Sequence, residues 1–136
     1  MPEAFPKSVP DQGGYEAPGA PWPTELRLVK EEARLEIEYD DGVTQSLPAE
    51  YLRVESPSAE VQGHGPGQKK IVSGRRRVRI AGVEPVGHYA IRILFDDGHD
   101  SGIYSWSYLR ELGDGQRERW AAYETALQAR GLTRDA

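Results

Sequence analysis

From Glu25 onward the chain alternates apolar and charged residues. Leu26 and Leu28, then Leu35, Ile37 and Tyr39, occupy every second position, with Glu36, Glu38 and Asp40 beside the last three. A period of two puts one set of side chains in a core and the other in water, so these stretches read as half-buried strands. Asp41-Gly42 supplies the positive-φ chemistry of a hairpin turn, and Val43 to Leu47 reads as the return strand. Pro48 suits a first helical turn, where the missing N–H has no partner to lose, so PAEYLRVE reads as a short helix. Ser56 to Gly74, rich in Gly, Ser and Pro, reads as a long loop. Arg75 to Ile80 is expected as a strand with Val78 and Ile80 on one face and Arg77 and Arg79 on the other. Gly82 and Gly87 bracket a short segment. Tyr89, Ile91, Ile93 and Phe95 then form the most strongly alternating strand, which Asp97-Gly98 turns back.

The chain echoes itself. LEIEYDDG at 35–42 aligns with IRILFDDG at 91–98, and Tyr51-Leu52-Arg53 aligns with Tyr108-Leu109-Arg110 after a one-residue insertion. Either a β-β-α unit occurs twice in one sheet, or two ordinary DG hairpins happen to look alike. Asp114 can cap a last helix whose Trp120, Tyr123 and Leu127 recur on one face as packing residues, with Gly131 ending it. The expected fold class is α+β: one small domain, mostly antiparallel sheet of two hairpin-plus-helix units, with a C-terminal helix. Residues 1–23, which hold six of the ten prolines, are expected as a disordered Pro/Gly-rich tail, 24–112 as the domain, and 113–136 as a helix packed on it.

Composition narrows the function. No apolar run is long enough to span a bilayer, the start has no secretory pattern, and zero cysteine fits a reducing compartment, so a cytoplasmic location without disulfides is expected. A net charge of −5 argues against a general nucleic-acid or membrane binder, since both need excess positive charge. The local exception is Lys69, Lys70, Arg75, Arg76, Arg77 and Arg79. These cations can meet an acidic protein partner, with Lys69, Lys70, Arg75, Arg77 and Arg79 as the binding residues, or Arg77 and Arg79 can pair with Glu36 or Glu38 across a sheet.

His99 sits at a hairpin turn between Asp97 and Asp100, which is raw material for a metal or acid–base site and equally an ordinary turn histidine. His64 and His88 stand at no helical ligand spacing from it. GHGPGQKK at 63–70 places Gln68 where a phosphate loop needs lysine, and no G-x-S-x-G elbow occurs, so no nucleotide site, no catalytic residues and no cofactor are expected.

The runs TELRL, EIEYDDGVTQSLPAEYLR, GQKK and FDDGHDSGIYSWSYLREL resemble the family of the N-terminal domain of γ-butyrobetaine hydroxylase and trimethyllysine hydroxylase, over about residues 24–112. In those enzymes a C-x-C-x-x-C segment and a histidine hold a structural zinc. Carried onto this chain, the cysteine positions fall on Ser56, Ser58 and Val61 and the histidine on His99. Serine and valine supply no thiolate, so the resemblance implies a zinc site that is lost here. It also implies no catalytic domain, because the iron and 2-oxoglutarate of the hydroxylases sit on a separate jelly roll. Similar domains fused to Mrp-type ATPases suggest a setting near iron or iron–sulfur metabolism. A non-catalytic protein-binding module is therefore expected, with a metal-binding domain using His99, Asp97 and Asp100 as the alternative.

Overall fold

A computed structural model describes residues 2–3, 21–63 and 67–135. Strand β1 (Pro2–Glu3) lies beside β2 (Pro23–Val29), and a 3-10 turn (Lys30–Glu32) leads to β3 (Arg34–Tyr39), β4 (Thr44–Pro48), α1 (Ala49–Val54) and α2 (Ala59–Gln62). The second half contains β5 (Ile80–Val86), β6 (Ala90–Phe95), β7 (Ile103–Ser105), α3 (Trp106–Asp114) and α4 (Gln116–Ala129). The strands form two antiparallel sheets, β1-β2-β3-β4 and β5-β6-β7.

The echo in the sequence is a structural repeat. Each unit is three strands followed by a helix, β2-β3-β4-α1 and β5-β6-β7-α3, one strand more than the hairpins foretold. Pro23 opposes Tyr39 as Ile80 opposes Phe95, and each first strand carries an irregularity next to that pair. The backbone N–H of Asp40 donates to Trp22 O at 2.8 Å, and that of Asp96 to Arg79 O at 2.9 Å. The two units form separate sheets rather than sharing one.

Their helices interlock reciprocally. The Tyr51 hydroxyl donates to the Leu112 carbonyl and the Tyr108 hydroxyl to the Glu55 carbonyl, both at 2.6 Å, and each acceptor lies four residues beyond the other tyrosine. Arg53 reaches Asp97 at 2.9 Å while Arg110 reaches Asp41 at 3.0 Å, so each helix arginine holds the turn aspartate of the opposite hairpin. A single core results, in which Leu26, Leu35 and Ile37 from one sheet meet Ile80, Ile91 and Ile93 from the other around Leu52 and Leu109. Removing each such side chain from water stabilises the fold by about 1.5–3 kcal/mol.

Four expectations change. Arg75 to Ile80 is no strand: Arg76 and Arg77 form a turn, and the N–H groups of Gly74 and Arg76 donate to Thr133 O and Arg134 O, so regular pairing starts only at Ile80. Val78 and Ile80 are buried as expected. The 56–74 stretch contains α2, because the Ser58 hydroxyl accepts from Glu60 N and caps it. Asp114 ends α3 instead of capping α4; its carboxylate accepts from Gln45 at 2.8 Å and Arg110 at 3.3 Å. Trp22, assigned to the tail, packs edge-on to Trp106 at 6.5 Å, and Pro23 is already in β2, so the domain starts earlier than residue 24. The remainder of the expected tail, apart from Pro2–Glu3, lies outside the described residues. Helix α4 packs Tyr123 and Leu127 on Val54, with half-buried Trp120 edge-on to Tyr51, as its periodicity indicates.

Candidate functional site

The turn after β6 brings His99 under the segment that leaves α1. That segment runs over the second hairpin through Ser56, Ser58 and α2, which leaves His99 only 6% exposed. The His99 Nε2 atom lies 2.9 Å from Ser56 Oγ, and its Nδ1 is 3.9 Å from Glu60 Oε2. Glu60 Oε1 accepts from the Ser101 hydroxyl at 2.5 Å, and Ser58 Oγ is 2.8 Å from Ser101 Oγ. With the Ser101 hydroxyl hydrogen directed at Glu60, Ser58 donates to Ser101 and accepts from Glu60 N. His64 lies outside the described residues.

Asp97 anchors the same turn. Its Oδ1 accepts from His99 N at 3.1 Å, and its Oδ2 lies 2.9 Å from Arg53 Nε and 2.8 Å from Arg75 Nε. Burial works against its charge, but the His99 N–H and the two arginines prevail and hold its carboxyl below the ordinary value. Burial, helped by the Arg53 charge, pushes His99 below its ordinary value against the pull of Glu60, Asp97 and Asp100, so the imidazole is neutral at pH 7.

Serine, imidazole and carboxylate in a row resemble a hydrolytic relay, yet Ser56 is 0% exposed. A substrate carbonyl cannot reach a sealed hydroxyl, and Nδ1 is too far from Glu60 for a hydrogen bond. The cluster clasps α2 to the second hairpin. Nor does it suit zinc: Ser56 and His99 touch, Ser58 caps α2 and Val61 is buried in that helix, but two neutral hydroxyls and an alkyl group replace the thiolates. The alternative set fares no better, because Asp97 is committed to two arginines and Asp100 is exposed. Among the described residues no group of three or more His, Asp or Glu is arranged to hold a metal.

The expected partner-binding cations are fixed to different degrees. Lys69 pairs with buried Glu55 at 2.7 Å, Arg75 with Asp97, and Arg76 with Asp135 at 2.6 Å. Arg79 donates to Lys30 O at 3.0 Å. Arg77 and Arg79 are exposed on either side of buried Val78, and neither pairs with Glu36, which instead meets Arg27 and Arg34. Sequence reasoning missed Glu60 beside His99, Ser101 as the partner of Glu60 and Ser58, and Glu55 as the partner of Lys69. Only the Ser58-x-Glu60 helix start hinted at any of these.

The family described as "Gamma-butyrobetaine hydroxylase-like, N-terminal" matches residues 26–110. The chain belongs to this family. A search of curated proteins found no match. Among solved structures, two determined in solution by NMR are similar to the chain: one is 44% identical with a TM-score of 0.76, covering 86% of this chain and 92% of its own, and the other is 41% identical with a TM-score of 0.75, covering 90% and 91%. A crystal structure of a protein of unknown function from Acidithiobacillus ferrooxidans, in the DUF971 family, is 41% identical with a TM-score of 0.57 and covers 67% of this chain and 91% of its own. No helix among the described residues is long and apolar enough to cross a membrane.

Proposed function

We propose that this family member is a non-catalytic module that binds an acidic protein surface through the segment Lys69–Arg79. The observation that supports this is the way the segment is pinned. Its backbone is tied to Thr133 and Arg134, Val78 is sunk in the core, and Arg75 is clamped on Asp97. Arg77 and Arg79 are thus presented on a fixed backbone, which lowers the ordering cost of meeting carboxylates and favours planar, paired hydrogen bonds. The sealed His99–Ser56 pair supports a role without catalysis, and analogy with fused family members points to a setting beside iron or iron–sulfur metabolism.

The test is affinity purification from the native host at native bait level, comparing the full chain with the Arg77→Gln/Arg79→Gln double variant. Stability should change by no more than about 1 kcal/mol, because both side chains are exposed and the variant gives up the Arg79 bond to Lys30 O. Partner recovery should fall and its salt dependence flatten. A folded double variant that keeps every partner overturns the proposal.

A further inference from the structure

A cavity lies where α4 faces the extended segment before the basic turn. Arg119, Ala122, Tyr123 and Ala126 share one face of α4, and the two alanines leave space that larger side chains would fill. The opposite wall is held in place at several points. Lys70 N donates to Val61 O at 2.6 Å, the Tyr123 hydroxyl donates to Val72 O at 2.5 Å, and Lys69 Nζ donates to Glu55 at 2.7 Å. Between these walls is a cavity of about 240 Å³ whose apolar lining comes from Val54, Ile71, Ala122, Tyr123 and Ala126.

Its polar lining is unbalanced. Lys69, Lys70 and Arg119 border the cavity against Glu55, which is 4% exposed and already paired with Lys69 and with Arg119 at 3.5 Å, and Arg119 also holds Glu111 at 2.6 Å beside the lining. Two carboxylates thus offset two of the three cations, and Lys70, in none of these pairs, leaves a net positive charge that favours a further anion at the mouth. The apolar walls favour a hydrocarbon body behind it.

We infer that this cavity binds a carboxylate carried on a short apolar body. At roughly 30 Å³ per water-sized group, the volume holds about eight non-hydrogen atoms, the size of a six-carbon acid. The same chemistry is offered by a free short-chain acid and by the apolar C-terminal residue of a peptide. In either case the carboxylate sits between Lys70 and Arg119 and the carbon chain lies along Ala122 and Ala126.

The experiment is a two-dimensional amide NMR titration of the full chain with hexanoate, N-acetyl-leucine, hexanol and hexylamine. The two acids should bind with a Kd on the order of 1 mM, as suits so few atoms, and should move the amides of Lys70, Ile71, Ala122 and Ala126. Hexanol should bind at least about tenfold more weakly and hexylamine should not bind, because the field opposes a cation. A tighter fit for hexanoate identifies a free acid as the occupant, and a tighter fit for N-acetyl-leucine identifies a peptide end. Ala126→Leu, which fills the cavity, should abolish the shifts in a spectrum that otherwise keeps its dispersion, and Lys70→Gln should weaken both acids several-fold. Equal binding of hexanol and hexanoate, preference for the amine, no binding at about 20 mM, or shifts that map elsewhere would each overturn the inference.

Discussion

The two reciprocal arginine–aspartate pairs are the same contact at two depths, so neutralising each aspartate compares a largely buried carboxylate that serves two arginines with an exposed one that serves one. Asp97→Asn and Asp41→Asn both keep the oxygen that accepts the backbone N–H two residues on, from His99 and Val43 respectively, and remove only the charge. Asp97 and Arg53 have side chains 20% and 10% exposed, and Arg75 loses the same partner. A fully buried cation stripped of its counter-ion costs about 3–5 kcal/mol, and the residual water contact here reduces this to about 2–3 kcal/mol. Asp41 is 39% exposed, and Arg110 retains Asp114 and the Tyr39 ring at 4.9 Å. Its neutralisation should cost far less than that of Asp97, as for other exposed ion pairs. With a urea slope of about 1.5 kcal/mol per M, the midpoint should fall by roughly 1.3–2 M for Asp97→Asn and by less than half of that for Asp41→Asn. Equal shifts, or a larger one for Asp41→Asn, would show that burial does not decide the strength of these pairs and would refute the argument.

Stability should fall as pH drops below about 6.5. The folded His99 resists protonation, so the unfolded chain binds more protons between its own pKa and the lowered folded one. Urea midpoints across pH 7 to 5 should therefore slope less in His99→Gln, and equal slopes in both proteins would count against a buried, neutral His99. Gly63→Ala should destabilise by at least about 2 kcal/mol, since the position has φ +75° and a Cβ there would lie 2.7 Å from Gln68 O; a change under about 0.5 kcal/mol in chemical denaturation would contradict that geometry. Trp22→Ala should cost about 1–2 kcal/mol in edge-to-face and burial contacts with the core, readable as a lower melting midpoint, whereas an unchanged midpoint would return Trp22 to the tail.

The strands whose pattern has period two were legible because one face of each is buried, as Leu35, Ile37 and Tyr39 show. The DG turns and Pro48 marked their own positions through backbone chemistry. Arg75–Ile80 misled because Val78 and Ile80 are both buried without a strand between them, and the partners of the neighbouring N–H groups come from residues 133 and 134, far along the chain. The separation into two sheets was invisible for the same reason, since reciprocal contacts between residues 44 to 69 apart leave no local signal. Within the site, His99 was legible from its turn, and Ser56 as its neighbour came only through family resemblance. Glu60 and Ser101 sit more than 40 residues apart, and no spacing rule joins them.

Repetition also separates what the fold requires from what has been added to it. The tyrosine-to-carbonyl bonds, the arginine–aspartate pairs and the aspartate turns each occur twice, once per unit, so they answer the common need to join two similar halves. At the junction behind each hairpin, one unit sets Ser56 against Gly102 and the other sets Gly113 against Gln45; in both a Cβ on the glycine would strike the side chain opposite. The counterpart of His99 is Val43, 36% exposed, because after α3 the chain turns into α4 instead of crossing the first hairpin. The cover over His99, the Glu60–Ser101 contact and the Lys69–Glu55 pair therefore occur once, and joining the halves does not account for them. The basic segment lies in the connection between the units, and the cavity beside Lys69 lies between that connection and α4, so both are built from parts that the repeat does not duplicate.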